Sequence, residues 1–195
     1  MVHCTNPPGT LEELVNTLRP MDVMTHMYMN KGNTILTDGR VSKEIRKARD
    51  RGVLFEAADA RAHFSFEVGK AAIDEDFYPD IIGTDLTVLS ANLRPTAFSL
   101  TNQMAKYNQL GIPFEKVIAL MTSEPARIMG MENEIGSLSV GGCADIAIFR
   151  KEECHIAFGD RTYNDPDRKE YPCEYRFRTM LTVAKGEMVY RDEMF

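Results

Sequence analysis

Apolar positions along the first part of the chain follow two alternating rhythms. Leu11, Leu14, Val15 and Leu18 recur at i, i+3, i+4 and i+7, the spacing of one helical face. Thr10 and Glu13 stand at its start as in a capping box, and Pro20 marks its end. The run 22–28 (DVMTHMY) is short, apolar and partly β-branched, which predicts a buried strand. After a polar loop rich in Gly and Asn, Val41, Ile45 and Ala48 predict a second helix ending near Gly52. The run 53–58 (VLFEAA) predicts another strand, and 64–72 a helix. Residues 81–89 (IIGTDLTVL) predict a strand passing into a loop, and 96–111 a long helix. Pro113 opens a further helix, with Phe114, Val117, Ile118 and Met121 on one face and Gly130 near its end.

Strand and helix alternating in units of roughly 30 residues predict an α/β fold of βα repeats on a parallel sheet. From residue 135 the rhythm changes. The segment 135–150 (IGSLSVGGCADIAIFR) is turn-rich, with Gly141-Gly142 between two expected short strands. Asp160, Asn164, Asp165 and Pro166 mark a loop, and 179–192 (TMLTVAKGEMVYRD) closes as a hairpin turning at Lys185-Gly186. The βα part yields only three strands and the stub of a fourth, against the eight of a closed barrel. The chain is therefore expected to start in mid-fold.

Composition narrows the function classes. The 195 residues are 44% hydrophobic, enough for one large domain or one domain and part of another. A net charge of −6 with both signs interspersed leaves no electrostatic footprint for nucleic acid or an anionic membrane. No run approaches the ~18–20 apolar residues that span a bilayer, and the N-terminus lacks the basic and apolar regions of a signal peptide. Cys4, Cys143, Cys154 and Cys173 form no CxxC pair, so they read as reduced thiols and the chain as cytoplasmic.

The most specific segment is 123–150, SEPARIMGMENEIGSLSVGGCADIAIFR. It resembles the amidohydrolase superfamily signature N-P-A-x-x-x-G, a spacer, then G-x-L-x-x-G-x-x-A-D. Pro125, Ala126, Gly130, Gly136, Leu138, Gly141, Ala144 and Asp145 fit, while Glu124 replaces the usual Asn. Upstream, 2–33 resembles the end of strand five, helix five and strand six of the deacetylase and dihydroorotase-like branch. Residues 51–66 are similar to its strand seven, and 81–90 to its strand eight. The resemblance implies a partial (β/α)8 barrel, strands five to eight with their helices, over 1–132. It implies the C-terminal part of a small β-sandwich over 133–195. Strands one to four are absent from this sequence.

The same resemblance implies a metal-dependent hydrolase of a small-molecule amide or ester, working through water activated by one or two divalent ions, zinc best of all. His3 matches the strand-five histidine and His26 the strand-six histidine, both ligands of the second metal. Asp85 matches the strand-eight aspartate, which binds the first metal and carries the proton from water to leaving group. Lys31 and Arg61 match basic positions that would meet an anionic substrate group. Plain alternatives stand beside each: a frayed terminal imidazole for His3, a hydrogen-bonded core histidine for His26, a loop cap for Asp85, solvated charges for Lys31 and Arg61. Asp145 reads as structural, His63 as a helix-start or packing residue, and His155 as surface.

Departures from the family matter too. No H-x-H pair and no strand-four lysine are present, so the active site is expected to be incomplete in this chain alone. Relatives carry G-H-G-x-x-S-F after strand seven, where this chain has Ala58-Asp59-Ala60-Arg61-Ala62-His63-Phe64, with Asp59 at the histidine. The remaining ligands would come from a complementing N-terminal half, or the chain would serve as a non-catalytic half-barrel that binds or assembles, its open edges driving homo-oligomerisation.

Overall fold

A computed structural model describes residues 1–4, 7–30, 32–59, 63–88, 99–161 and 165–195, the side chain of residue 156 excepted. Lys31 and Arg61 lie outside the described residues, as does the expected start of the long helix at Thr96. The fold is mixed α/β. Four parallel strands, β1 (Val2–His3), β2 (Val23–Thr25), β5 (Leu54–Ala58) and β6 (Ile81–Gly83), form one sheet in that order. Each neighbour in space is the next strand of this set in sequence.

β2 and most of β5 are buried on both faces. That is why these strands read as continuous apolar runs rather than alternating ones. Helix α1 (Leu11–Thr17) has the capping box that Thr10 and Glu13 suggested, and it buries Leu11 and Val15. Helix α2 (Lys43–Asp50) starts at Ser42, whose side chain accepts from the Ile45 amide, and buries Ile45 and Ala48. Helix α3 (Phe66–Asp74) and helix α4 (Leu100–Gln109) follow β5 and β6. Between β2 and α2 the polar loop contains a hairpin, β3 (Leu36–Thr37) and β4 (Arg40–Val41). Its turn is Asp38-Gly39, both at positive φ, a dipeptide suited to tight two-residue turns.

The helix opened by Pro113 divides in two, α5 (Phe114–Met121) and α6 (Ser123–Ile128). Pro125 has no N–H to reach the carbonyl four residues back, so the chain restarts at Thr122 and leaves Pro125 in a first helical turn. Residues 135–143 also differ from expectation. They form turns, not strands, with Gly136 and Gly141 at positive φ and the Cys143 amide donating to Glu134. The antiparallel sheet comprises β7 (Ile146–Gly159), β8 (Glu170–Ala184) and β9 (Glu187–Arg191), with the last turn at Lys185-Gly186 as expected.

α4 ties the two sheets together. The Gln109 side chain donates to the Tyr175 carbonyl at 2.9 Å and accepts from the Glu174 amide at 2.7 Å. Phe66 stacks on Tyr171, and Phe114 on Phe177. Among the described residues, no helix is long and apolar enough to cross a membrane.

Candidate functional site

The C-terminal ends of the four parallel strands carry the chemistry. His3 ends β1, His26 follows β2, His63 lies five residues beyond β5, and Asp85 lies two beyond β6. Open parallel sheets and barrels collect their sites at these ends, because successive loops emerge there side by side.

The three imidazoles are in mutual contact. Ring centroids lie 4.4 Å apart for His3 and His26, 5.1 Å for His3 and His63, and 4.0 Å for His26 and His63. Asp85 Oδ2 stands 3.8 Å from His26 Nε2 and 3.6 Å from His63 Nδ1. One nitrogen from each histidine can be chosen so that all three lie within 4.8 Å of one another.

Hydrogen bonding sets the state of His26. Its Nδ1 is 2.6 Å from the Ala58 carbonyl, which can only accept, so Nδ1 carries the proton. Nε2 is left with its lone pair facing His3 Nδ1 at 2.8 Å. An imidazole oriented through its other nitrogen by a backbone carbonyl is the usual support for a metal ligand. Burial, then the imidazoles of His26 and His3, push His63 down to about 4 against the opposing pull of Asp85. His3 is also lowered, by burial first and then by His26, again against Asp85. Both therefore favour the neutral form, which keeps a lone pair for a cation.

Two of the six described non-glycine residues at positive φ lie here. His26 has φ +59° and Asp85 φ +47°, the left-handed region where non-glycine residues are uncommon and often functional. Cys4, next to His3, is withdrawn from the cluster. Its thiol donates to the Thr25 carbonyl at 2.9 Å, and burial pushes it up to about 11.

Beneath the cluster lies a buried ion pair. Lys106 and Asp59 are both fully buried and in direct contact. The Asp59 carboxylate also accepts from Gln103 Nε2 and Tyr107 Oη, each at 2.7 Å. Burial lowers the Lys106 amine, and Asp59 opposes that fall. Asp59 opens the loop that leads to His63, and its carbonyl accepts the His63 amide at 3.0 Å.

The structure thus brings His3, His26 and Asp85 together, and it adds His63, which the sequence suggested only as a helix-start or packing residue. His63 lies two residues before Ser65, the N-cap of α3. The available signal was its place in the loop after a parallel strand. His155 is exposed on β7, as expected.

The donor set suits a divalent cation. Among the described residues, Nδ1 of His63 is buried without a hydrogen-bond partner, and it shares the neighbourhood of Asp85 Oδ2 with His26 Nε2. Three imidazoles and a carboxylate match borderline transition metals better than Mg or Ca, which prefer all-oxygen shells.

Known proteins resemble this chain over most of its length. A deacetylase of Brucella anthropi is 36% identical over 152 residues, covering 76% of this chain and 37% of that protein. The crystal structure of a dihydroorotase superposes with a TM-score of 0.80 at 26% identity, over 98% of this chain and 48% of that one. An adenine deaminase structure gives a TM-score of 0.84 over 96% of this chain and 49% of that one, and at 23% identity it speaks for the fold alone. The chain spans about half, or less, of the length of these relatives. The sequence profile of the amidohydrolase family matches residues 81–190, from β6 through the antiparallel sheet, and with that match over more than half of its length the chain belongs to the amidohydrolase family.

Proposed function

We propose that this chain contributes strands five to eight of a (β/α)8 barrel over 1–132 and part of a small β-sandwich over 133–195. The whole it belongs to would be a metal-dependent hydrolase of amide or ester bonds in small molecules, deacetylase or dihydroorotase-like. The observation that carries this reading is the convergence of imidazoles and one carboxylate at the ends of four adjacent parallel strands. The absence of any CxxC pair among the four cysteines supports a reducing compartment such as the cytoplasm.

His3, His26 and Asp85 would hold the divalent ions, for which zinc is the best match to the donors. When bound, such an ion would supply Lewis acidity, polarising a carbonyl and lowering the pKa of water toward about 7. Asp85 is set to take the proton released from water and hand it to the leaving group. Its left-handed backbone and exposed loop position aim the carboxylate at the imidazoles while leaving it open to solvent. His26 is held by the Ala58 carbonyl so that Nε2 cannot turn away. Lys31 and Arg61 would meet an anionic group of the substrate, a role carried over from matched family positions. The H-x-H pair and bridging ligand would come from a complementing N-terminal half.

The test is turnover of N-acetylated amino acids and of dihydroorotate by this chain together with an N-terminal half supplied in trans. Asp85→Asn is expected to lower the rate by about 10²–10⁴-fold, the usual worth of a general acid–base. An unchanged rate would remove Asp85 from catalysis, and no turnover of either class by the assembled pair would sink the hydrolase reading. The second reading, a binding or assembly module, draws on β1. Among the described residues it pairs on one side only, with β2, and such an edge invites a partner strand.

A further inference from the structure

We propose that His63 completes a self-contained site in which this chain alone binds one divalent transition-metal ion through His3, His26 and His63, with Asp85 alongside. This rests on reading the cluster as a metal site, and it does not require the chain to hydrolyse anything. In the arrangement the resemblance implies, the ligands of this half are divided between two ions and need partners from elsewhere. His63 stands where relatives carry serine, and it supplies the third imidazole that a single site requires.

Three observations converge. The donor nitrogens of the three rings lie within 4.8 Å of one another. Nitrogens sharing a tetrahedral zinc ion at ~2.1 Å each lie about 3.4 Å apart, so rotation of the rings by about an ångström brings the set to bonding distance. Next, His63 Nδ1 is buried and lacks a hydrogen bond among the described residues, with Asp85 Oδ2 at 3.6 Å, beyond hydrogen-bond reach. A buried imidazole nitrogen without a hydrogen bond, beside two other imidazoles, is a donor a cation would satisfy. Finally, the rings are positioned from outside the cluster. His26 is anchored on Ala58, and the loop bearing His63 is fastened at its root by the buried Asp59–Lys106 pair and by the His63 amide on the Asp59 carbonyl.

Three imidazoles plus an adjacent carboxylate form the shell of a zinc site with three nitrogen ligands and one position for water or carboxylate. Zinc and cobalt(II) would both enter it, and cobalt reports its geometry through its visible absorption.

The experiment is titration of the chelator-stripped chain, without any complementing half, with cobalt(II) and then with zinc against a chromogenic chelator. One equivalent should bind, with the intense visible bands of a four- or five-coordinate cobalt ion. Loss of an outer-sphere partner typically weakens metal binding 10–100-fold, so His63→Ala should weaken it by more than about 100-fold and change the bands. His155→Ala should bind like the parent. Uptake of no ion, or of parent-like affinity and spectrum in a folded His63→Ala chain, would overturn the proposal, and His63 would then be only a neighbour of Asp85. Should His63→Ala fail to fold, imidazole nitrogen NMR of the parent decides: zinc must move a His63 ring resonance as it moves those of His3 and His26. A chain that binds one ion yet stays inactive with its complementing half would leave this site standing and remove the hydrolytic reading.

Discussion

Asp59 shows how much a single buried residue can determine. Its carboxylate has no access to solvent and depends on Lys106, Gln103 and Tyr107 for every polar contact named above. Lys106 in turn sits over the Phe64 ring, with Nζ 4.0 Å from the centroid, an arrangement that favours the charged amine. Replacing Lys106 with Met would remove the cation in direct contact with this buried carboxylate. A loss of about 3–5 kcal/mol in unfolding free energy is expected, to be read from urea denaturation. If Lys106→Met costs no more than a surface substitution, Asp59 and Lys106 are not the fastening of the His63 loop. None of this was legible in advance. Asp59 could be noted as a departure from G-H-G, but its partners lie 44 to 48 positions downstream on α4, and no local pattern links them.

At the scale of elements, the glycines and aspartate of the signature segment acquire physical roles. Gly136 has φ +81°, and a Cβ there would lie 2.8 Å from both the Ala126 Cβ and the Thr122 carbonyl oxygen. Gly136→Ala combines left-handed strain of about 1–2 kcal/mol with a backbone clash, so calorimetry should find a loss larger than that strain alone. Asp145 accepts the Lys185 amide at 2.7 Å, while the Gly186 amide donates to the Ala144 carbonyl. It thereby fastens the β8–β9 turn to the start of β7. The Lys185 amide first, then the Cys143 thiol, hold its carboxyl below the usual range. A lowered folded-state pKa stabilises above the unfolded value and loses that effect as pH falls through the folded one. The thermal midpoint of the parent should therefore exceed that of Asp145→Asn near neutrality, and the gap should close in acid. A gap independent of pH would mean that the charge of Asp145 contributes nothing.

On the scale of the whole molecule, the chain leaves apolar surface uncovered. Ile146, Ile148, Phe149, Met188, Val189 and Tyr190 on β7 and β9 are all exposed. A cleft of about 1370 Å³ between α4, α5 and this sheet is lined by Met104, Phe114, Ile118, Phe149 and Phe177. No histidine lines it, so it is separate from the imidazole cluster. Apolar patches of this extent on a lone chain promote association. Light scattering should find the chain alone larger than 22.1 kDa in a concentration-dependent way, and an added N-terminal half should suppress this. A strictly monomeric chain at high concentration would argue that these surfaces need no cover.

By itself the sequence determined whatever depends on neighbours in the chain. Thr10 and Glu13 start α1 through a local capping box, the buried runs of β2 and β5 announce parallel strands, and Lys185-Gly186 turns the last hairpin. Resemblance at 123–150 reached the family for the same reason, since turn and packing glycines recur at fixed spacing. Local signals also misjudged 135–143, where β-like composition is overruled by Gly136 and Gly141 in turn conformations. Only the tertiary structure decided which loops meet. His63 joins His3 and His26 because β5 lies beside β2 and the His63 amide is bonded to Asp59, which is held from α4. Such convergence follows from strand order and buried pairing across tens of residues, which hydrophobic periodicity does not encode.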